Sequence, residues 1–109
     1  MRAIPPRLLG SGCTVRVPVD GGDDDAFAEP VAVSPVRYDT ASAIDPVSYR
    51  LTDGAKGLLF VDARNSAGAF EIPEGSLVSV DGRPDDVALK VTRFETFFGE
   101  VHHWEVELG

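Results

Sequence analysis

The sequence is short of most of the residues that carry chemistry. One cysteine, Cys13, excludes an internal disulfide and a cysteine-based zinc cage, and nothing near it in sequence supplies a base that would make it a nucleophile. There are only two histidines, His102 and His103, and they are adjacent. No apolar run approaches the roughly 18 residues of a membrane-spanning helix. The opening Met1 to Leu9 holds two prolines and no apolar core of about 7 to 15 residues, so it does not read as a secretory signal. Basic residues are scarce: ten Lys and Arg stand against eighteen Asp and Glu, a net charge of -8. A chain of that balance has little with which to displace counterions from nucleic-acid backbones. Helical periodicity is also wanting, because eight prolines and eleven glycines interrupt every candidate window.

What is present is alternation. The 109 residues, 43% of them hydrophobic, suffice for one core and one domain, spanning 1–109. Thr14 to Val19 alternates with Val15, Val17 and Val19 on one side, and Pro18 marks a sheet margin. Asp20-Gly21-Gly22-Asp23-Asp24-Asp25 is dense in turn residues and predicts an acidic hairpin loop. Pro30 to Asp39 predicts a second strand bent at Pro35, and Val47 to Leu51 a short strand or one arm of a protruding hairpin. Gly57 to Ala63 is an apolar run broken only by Asp62 and suits a central strand covered on both faces. Leu77 to Val80 follows a Pro73 to Ser76 turn. Asp86 to Phe98 predicts a longer strand with Val87, Leu89 and Val91 on one face, hinged at Gly99-Glu100 to the last strand. That last strand should point His102, Trp104, Val106 and Leu108 inward and Val101, His103, Glu105 and Glu107 outward. Several short strands with turns between them predict an all-β fold, a small single-domain β-barrel with a flexible N-terminal arm over 1–13 and a protruding loop over 40–56.

Candidate chemistry is thin. Adjacent residues on a strand point to opposite faces, which argues against one metal ion bound by both histidines. The acidic run lacks the alternate ligands, central glycine and closing Glu of an EF-hand loop. No Gly-x-Ser-x-Gly elbow, phosphate-cradling loop or paired catalytic carboxylates occur. The reading is of a protein that is not an enzyme and holds no metal or cofactor. The stretch Ile4-Pro5-Pro6-Arg7-Leu8-Leu9 offers aliphatic side chains on a proline-stiffened arm, a device for docking on a neighbour. His103, Glu105 and Glu107, outward on the last strand, are the other candidate partner contacts.

Three segments together carry a resemblance: Ile4-Pro5-Pro6-Arg7-Leu8-Leu9 before the Val15-Arg16-Val17 strand, Leu59-Phe60-Val61-Asp62-Ala63-Arg64-Asn65-Ser66, and His102-His103-Trp104-Glu105-Val106. In this order they resemble the minor capsid proteins of tailed phages, which are similar to head-closure, or stopper, proteins of the head-tail connector. The resemblance implies a β-barrel subunit of a homo-oligomeric ring in the virion neck, assembled in the host cytoplasm. Its partners would be a portal-bound adaptor above and a tail protein below, with packaged DNA passing through the channel without sequence-specific binding. It further implies a channel or gating loop over Thr40 to Lys56, with Asp45, Val47, Tyr49, Arg50 and Asp53 as its candidate residues. Asp23, Asp24 and Asp25 would face the channel, where an acidic lining lets DNA pass without sticking. The alternatives are a tail-completion, or terminator, ring subunit, and a soluble β-barrel that binds a ligand or peptide in a concave pocket.

Overall fold

The computed structural model describes residues 6–19, 26–44 and 50–109. Six strands, β1 (Ser11–Arg16), β2 (Val31–Thr40), β3 (Gly57–Asp62), β4 (Leu77–Val80), β5 (Asp86–Glu95) and β6 (Val101–Leu108), close into an antiparallel barrel in the order β1-β2-β3-β6-β5-β4. The chain is thus two three-stranded meanders, β1-β2-β3 and β4-β5-β6, joined edge to edge through β3·β6 and β1·β4. Closure removes every free sheet edge among these strands. Single 3-10 turns precede β1 at Pro6–Leu8 and follow β2 at Ala41–Ala43.

The inward rows fill the barrel. Cys13 and Val15 of β1, Val33 and Val36 of β2, Leu59 and Val61 of β3, Val78 and Val80 of β4, Ala88 of β5, and Trp104, Val106 and Leu108 of β6 form one buried cluster. Ile72, from the connection between the meanders, joins it. Each of these β-branched or large side chains, fully buried, contributes on the order of 1.5–3 kcal/mol. The expectation for β3 holds: five of its six residues are buried, with the outward Leu58 and Asp62 as covered as the inward Leu59 and Val61.

Pro35 sits where β2 changes partner. Residues before and just after it pair with β1, down to Ser11↔Val36, whereas Arg37 to Thr40 pair with β3. The Ser34–Pro35 peptide is cis. The gap left at this corner is filled by the turn after β3. Asp62, fully buried, accepts the backbone N–H of Arg64 at 3.0 Å and of Asn65 at 2.7 Å. Ser66 Oγ accepts Asp62 N–H at 3.0 Å and donates to Pro35 O at 2.6 Å. Ser34 and Ala67 then exchange both backbone bonds, at 3.1 and 2.9 Å. The Asp-Ala-Arg-Asn-Ser segment is therefore a self-capped corner plug, an Asx turn with a serine latch.

Several sequence expectations need correction. Ser11 to Cys13 belong to β1, with Gly12 N–H donating to Asp81 Oδ1 at 3.0 Å, so the last three residues of the arm expected over 1–13 are strand. β1 ends at Arg16, and Val19 is exposed. On β5 the inward residue is Ala88, while Val87 is exposed. Leu89 is the reason: Ala88 pairs with Leu108 and Lys90 with Glu107, which leaves Leu89 as an extra, bulged residue that reverses the alternation.

Candidate functional site

The outward rows of β2, β3, β6 and β5 form the richest polar surface. Antiparallel register sets them side by side: Arg37, Phe60, Glu105 and Thr92 in one row, Asp62, His103 and Phe94 in the next, Asp39, Leu58, Glu107 and Lys90 in a third. Residues of one row share a face because directly opposed positions do.

His103 is the hub of this wall. Its Nε2–H donates to Glu105 Oε2 at 2.9 Å, and its ring stacks on Phe94, centroids 4.6 Å apart and planes within 3°. Its Nδ1 lies 2.7 Å from Nδ1 of His102, with the two rings nearly perpendicular. One imidazole N–H donates to the other ring, so the two histidines that alternation would have separated are in fact bonded. The cause is a second bulge. Phe94 pairs with His103 and Glu95 with Val101, which makes His102 the extra residue of the β5–β6 ladder and turns its side chain off the inward row. Beside them Arg37 Nε donates to both carboxylate oxygens of Asp39 at 3.2 Å, and its guanidinium lies 5.9 Å from the Phe60 ring centroid. Arg37, Asp39, Phe60 and His103 line a shallow groove of about 280 Å³.

The candidate partner contacts on β6 divide. His103 and Glu105 do lie on the outer wall, but their side chains are only 14% and 12% exposed. Glu107 is on the same face and is buried, at 1%. The connection between β2 and β3 covers it: Thr52 N–H donates to Glu107 Oε1 at 2.5 Å, and Lys56 N–H to Leu108 O at 2.6 Å. Lys90 Nζ stands 4.0 Å from the other oxygen. Glu107 is thus an internal strap anchor and not a surface for neighbours.

At the N-terminal end, Arg7 and Leu8 are exposed as a docking device requires, whereas Leu9 is buried in its own barrel. Pro6 opens the 3-10 turn; Ile4 and Pro5 lie outside the described residues. Of the candidate gating residues, Arg50 and Asp53 are exposed, and Asp45, Val47 and Tyr49 lie outside the described residues. Asp23, Asp24 and Asp25 lie outside them as well, but their flanks pair across the run: Ala28 N–H donates to Val17 O at 2.8 Å and Val19 N–H to Ala26 O at 3.1 Å. A short antiparallel ribbon therefore leads into the acidic segment.

Phe97 and Phe98 fall within the strand expected over Asp86 to Phe98. They form instead the β5–β6 hairpin tip, 99% and 88% exposed, before Gly99 at φ +83°. The signal was available, since two adjacent aromatics against a turn glycine cannot both face one core. Cys13 faces that core, and burial, followed by the nearby Asp81 carboxylate, pushes its thiol up to about 11. Among the described residues no three His, Cys, Asp or Glu side chains are grouped to hold a metal ion. Among the described residues no helix is long and apolar enough to cross a membrane. Compared with protein-family models, curated proteins and solved structures, the chain matches none.

Proposed function

We propose that this chain is a structural subunit of the head-tail connector of a tailed phage, a head-closure ring protein between the portal-bound adaptor and the tail. The reading rests on the resemblance of its three segments to that family and on one structural observation. The barrel is closed, so no strand edge is left to pair with a neighbour, and the longest connection between adjacent strands is the polar β2–β3 excursion from Ala41 to Lys56. That excursion is anchored at both ends: Ala41 N–H donates to Lys56 O at 2.8 Å, and Thr52 is held on Glu107. An anchored base is what a loop reaching into a channel requires. The net charge of -8 suits a ring through which DNA slides without being held.

Deleting the gene from the phage genome that carries it tests the assignment. Filled or emptied heads without tails are expected; normal, infectious particles would overturn it. Excising 45–49 alone, which spares the Thr52 anchor, should give tailed particles that leak DNA, and particles that retain their DNA would remove the gating role. Replacing Asp23, Asp24 and Asp25 by Asn should slow DNA ejection, and unchanged kinetics would count against an acidic channel lining.

A further inference from the structure

The bulge at His102 removes the argument that kept one metal ion from both histidines. Nδ1 of His102 lies 2.7 Å from Nδ1 of His103 with the rings at 80° to each other, so two imidazole nitrogens already meet on one stretch of backbone. We propose that the His102–His103 pair is a two-nitrogen binding site for a divalent transition metal of the copper and nickel class, held by the two Nδ1 atoms.

The His103 half of the site is preset. Glu105 Oε2 accepts its Nε2–H at 2.9 Å, which keeps the proton on that nitrogen and makes Nδ1 the one with the lone pair. A carboxylate behind a ligating imidazole in this way orients the ring and raises its basicity. The stack on Phe94, centroids 4.6 Å apart and planes within 3°, holds the ring plane as well. Nδ1 of His102 therefore carries the proton of the bond that joins the two rings, and a metal ion takes that proton's place. The proton moves to Nε2 of His102, both Nδ1 lone pairs bind the metal, and neutral rings release no net proton.

The separation selects the ion. With metal–nitrogen bonds of about 2.0 Å, neighbouring ligands of a square-planar ion stand about 2.8 Å apart and those of a tetrahedral ion about 3.3 Å. The observed 2.7 Å fits the first, the geometry that Cu(II) and Ni(II) take with imidazole donors. A swing of the rings then turns the lone pairs from each other towards a common point. Among the described residues no third His, Cys, Asp or Glu is grouped with the pair, so water fills the other positions, which the partial exposure of the His103 side chain allows. A body of net charge -8 draws a cation towards such a site. The inference stands apart from the head-tail reading: the pair would bind metal whether or not the chain enters a neck, and the gene deletion above would not detect it.

Titrating copper(II) chloride into the full, untagged chain at neutral pH in a weakly coordinating buffer tests the proposal, read by electron paramagnetic resonance and by nuclear magnetic resonance of the same protein. One Cu(II) per chain is expected, with superhyperfine splitting from two nitrogens, and the earliest paramagnetic broadening should fall on Phe94 and Glu105. His102→Gln and His103→Gln, with folding confirmed by circular dichroism, should each weaken binding by at least about tenfold. Glu105→Ala touches no metal ligand position and should still weaken it by about 10-fold or more, whereas Glu105→Gln keeps an acceptor for the Nε2–H and should restore most of the affinity. The broadening locates the ion on the parent chain, independently of any variant. A spectrum with one nitrogen or none, affinity unchanged in both histidine variants, broadening centred on the acidic segment 20–25 or on the start of the chain, or no saturation below about 1 mM would each overturn the proposal.

Discussion

Glu107, near the end of the last strand, accepts the backbone N–H of Thr52 at 2.5 Å across 55 positions of sequence. This bond fastens the returning half of the β2–β3 connection to the barrel wall and explains why an apparently outward carboxylate is buried. Among the described residues its second oxygen makes no hydrogen bond and has Lys90 Nζ at 4.0 Å. Burying such a group is costly unless the bond it does make is needed.

Glu107→Leu should therefore release the strap. Loss of the acceptor strands the Thr52 N–H, at a cost of about 1–3 kcal/mol. Glu107→Gln keeps an acceptor oxygen and should retain most of the stability. Amide exchange at Thr52 and Lys56 would separate the two: strongly accelerated in the Leu variant, near the parent rate in the Gln variant. Equal exchange in both would mean that the strap is held by something else.

Gly57 and Tyr38 form a second pair that the barrel depends on. The Tyr38 ring lies across Gly57, occupying the space where a Cβ would stand. An aromatic covering a glycine on the neighbouring strand restores the burial that the missing side chain gives up. Gly57→Ala should displace the ring and cost about 1–3 kcal/mol. In a double-mutant cycle with Tyr38→Ala the alanine at 57 should become almost harmless, since the clash has gone. Additive losses, read from chemical denaturation, would show that the two residues do not interact.

The parts of this fold that alternation writes into a sequence were legible: the inward Trp104, Val106 and Leu108, the covered β3, the bend at Pro35. The parts that were not legible have two physical causes. Bulges at Leu89 and His102 add one residue and reverse the faces beyond it, so Val87 became exposed and the two histidines met. Period-2 reasoning contains no term for an inserted residue. The other cause is distance along the chain. Glu107 is buried by residues near position 52, Leu9 by a barrel that the sequence does not order, and the β1·β4 closure joins strands that are far apart in the chain. The candidate site suffered most, because it lies on the outer wall where such long-range cover decides what is exposed.

Trp104 is the single tryptophan, and it is held at its polar edge as well as by the core. Its Nε1–H donates to Glu71 Oε1 at 3.1 Å, and Arg93 Nε lies 3.0 Å from the same oxygen. Trp104→Phe keeps much of the apolar contact and loses the hydrogen bond, which should cost about 0.5–1.5 kcal/mol beyond the volume change. Glu71→Gln leaves an acceptor in place, and intrinsic fluorescence should report an unfolding midpoint close to the parent's. A large loss from Glu71→Gln would assign the stabilisation to the exposed Arg93 ion pair, which on general grounds is worth little.

Cys13 supplies a prediction with a defined pH window. Desolvation, and secondarily the Asp81 carboxylate, raise its thiol from 9.0 to about 11 in the folded chain. The thiolate is the nucleophile, so at pH 8 the folded protein should resist iodoacetamide and react only after denaturation. The same shift bears on stability. Below pH 9 both folded and unfolded chains hold the proton and no penalty arises. Between about 9 and about 11 the unfolded chain releases it while the folded chain still binds it, so protons favour the fold and their removal favours unfolding. Stability should fall as pH rises through that window. Cys13→Ser removes this titration, and Cys13→Ala does so without adding a hydroxyl to the core. If the alanine variant's denaturation midpoint declined between pH 9 and 11 as steeply as the parent's, the alkaline sensitivity would belong to another group, with Tyr38, whose hydroxyl is also raised chiefly by burial, the first to test.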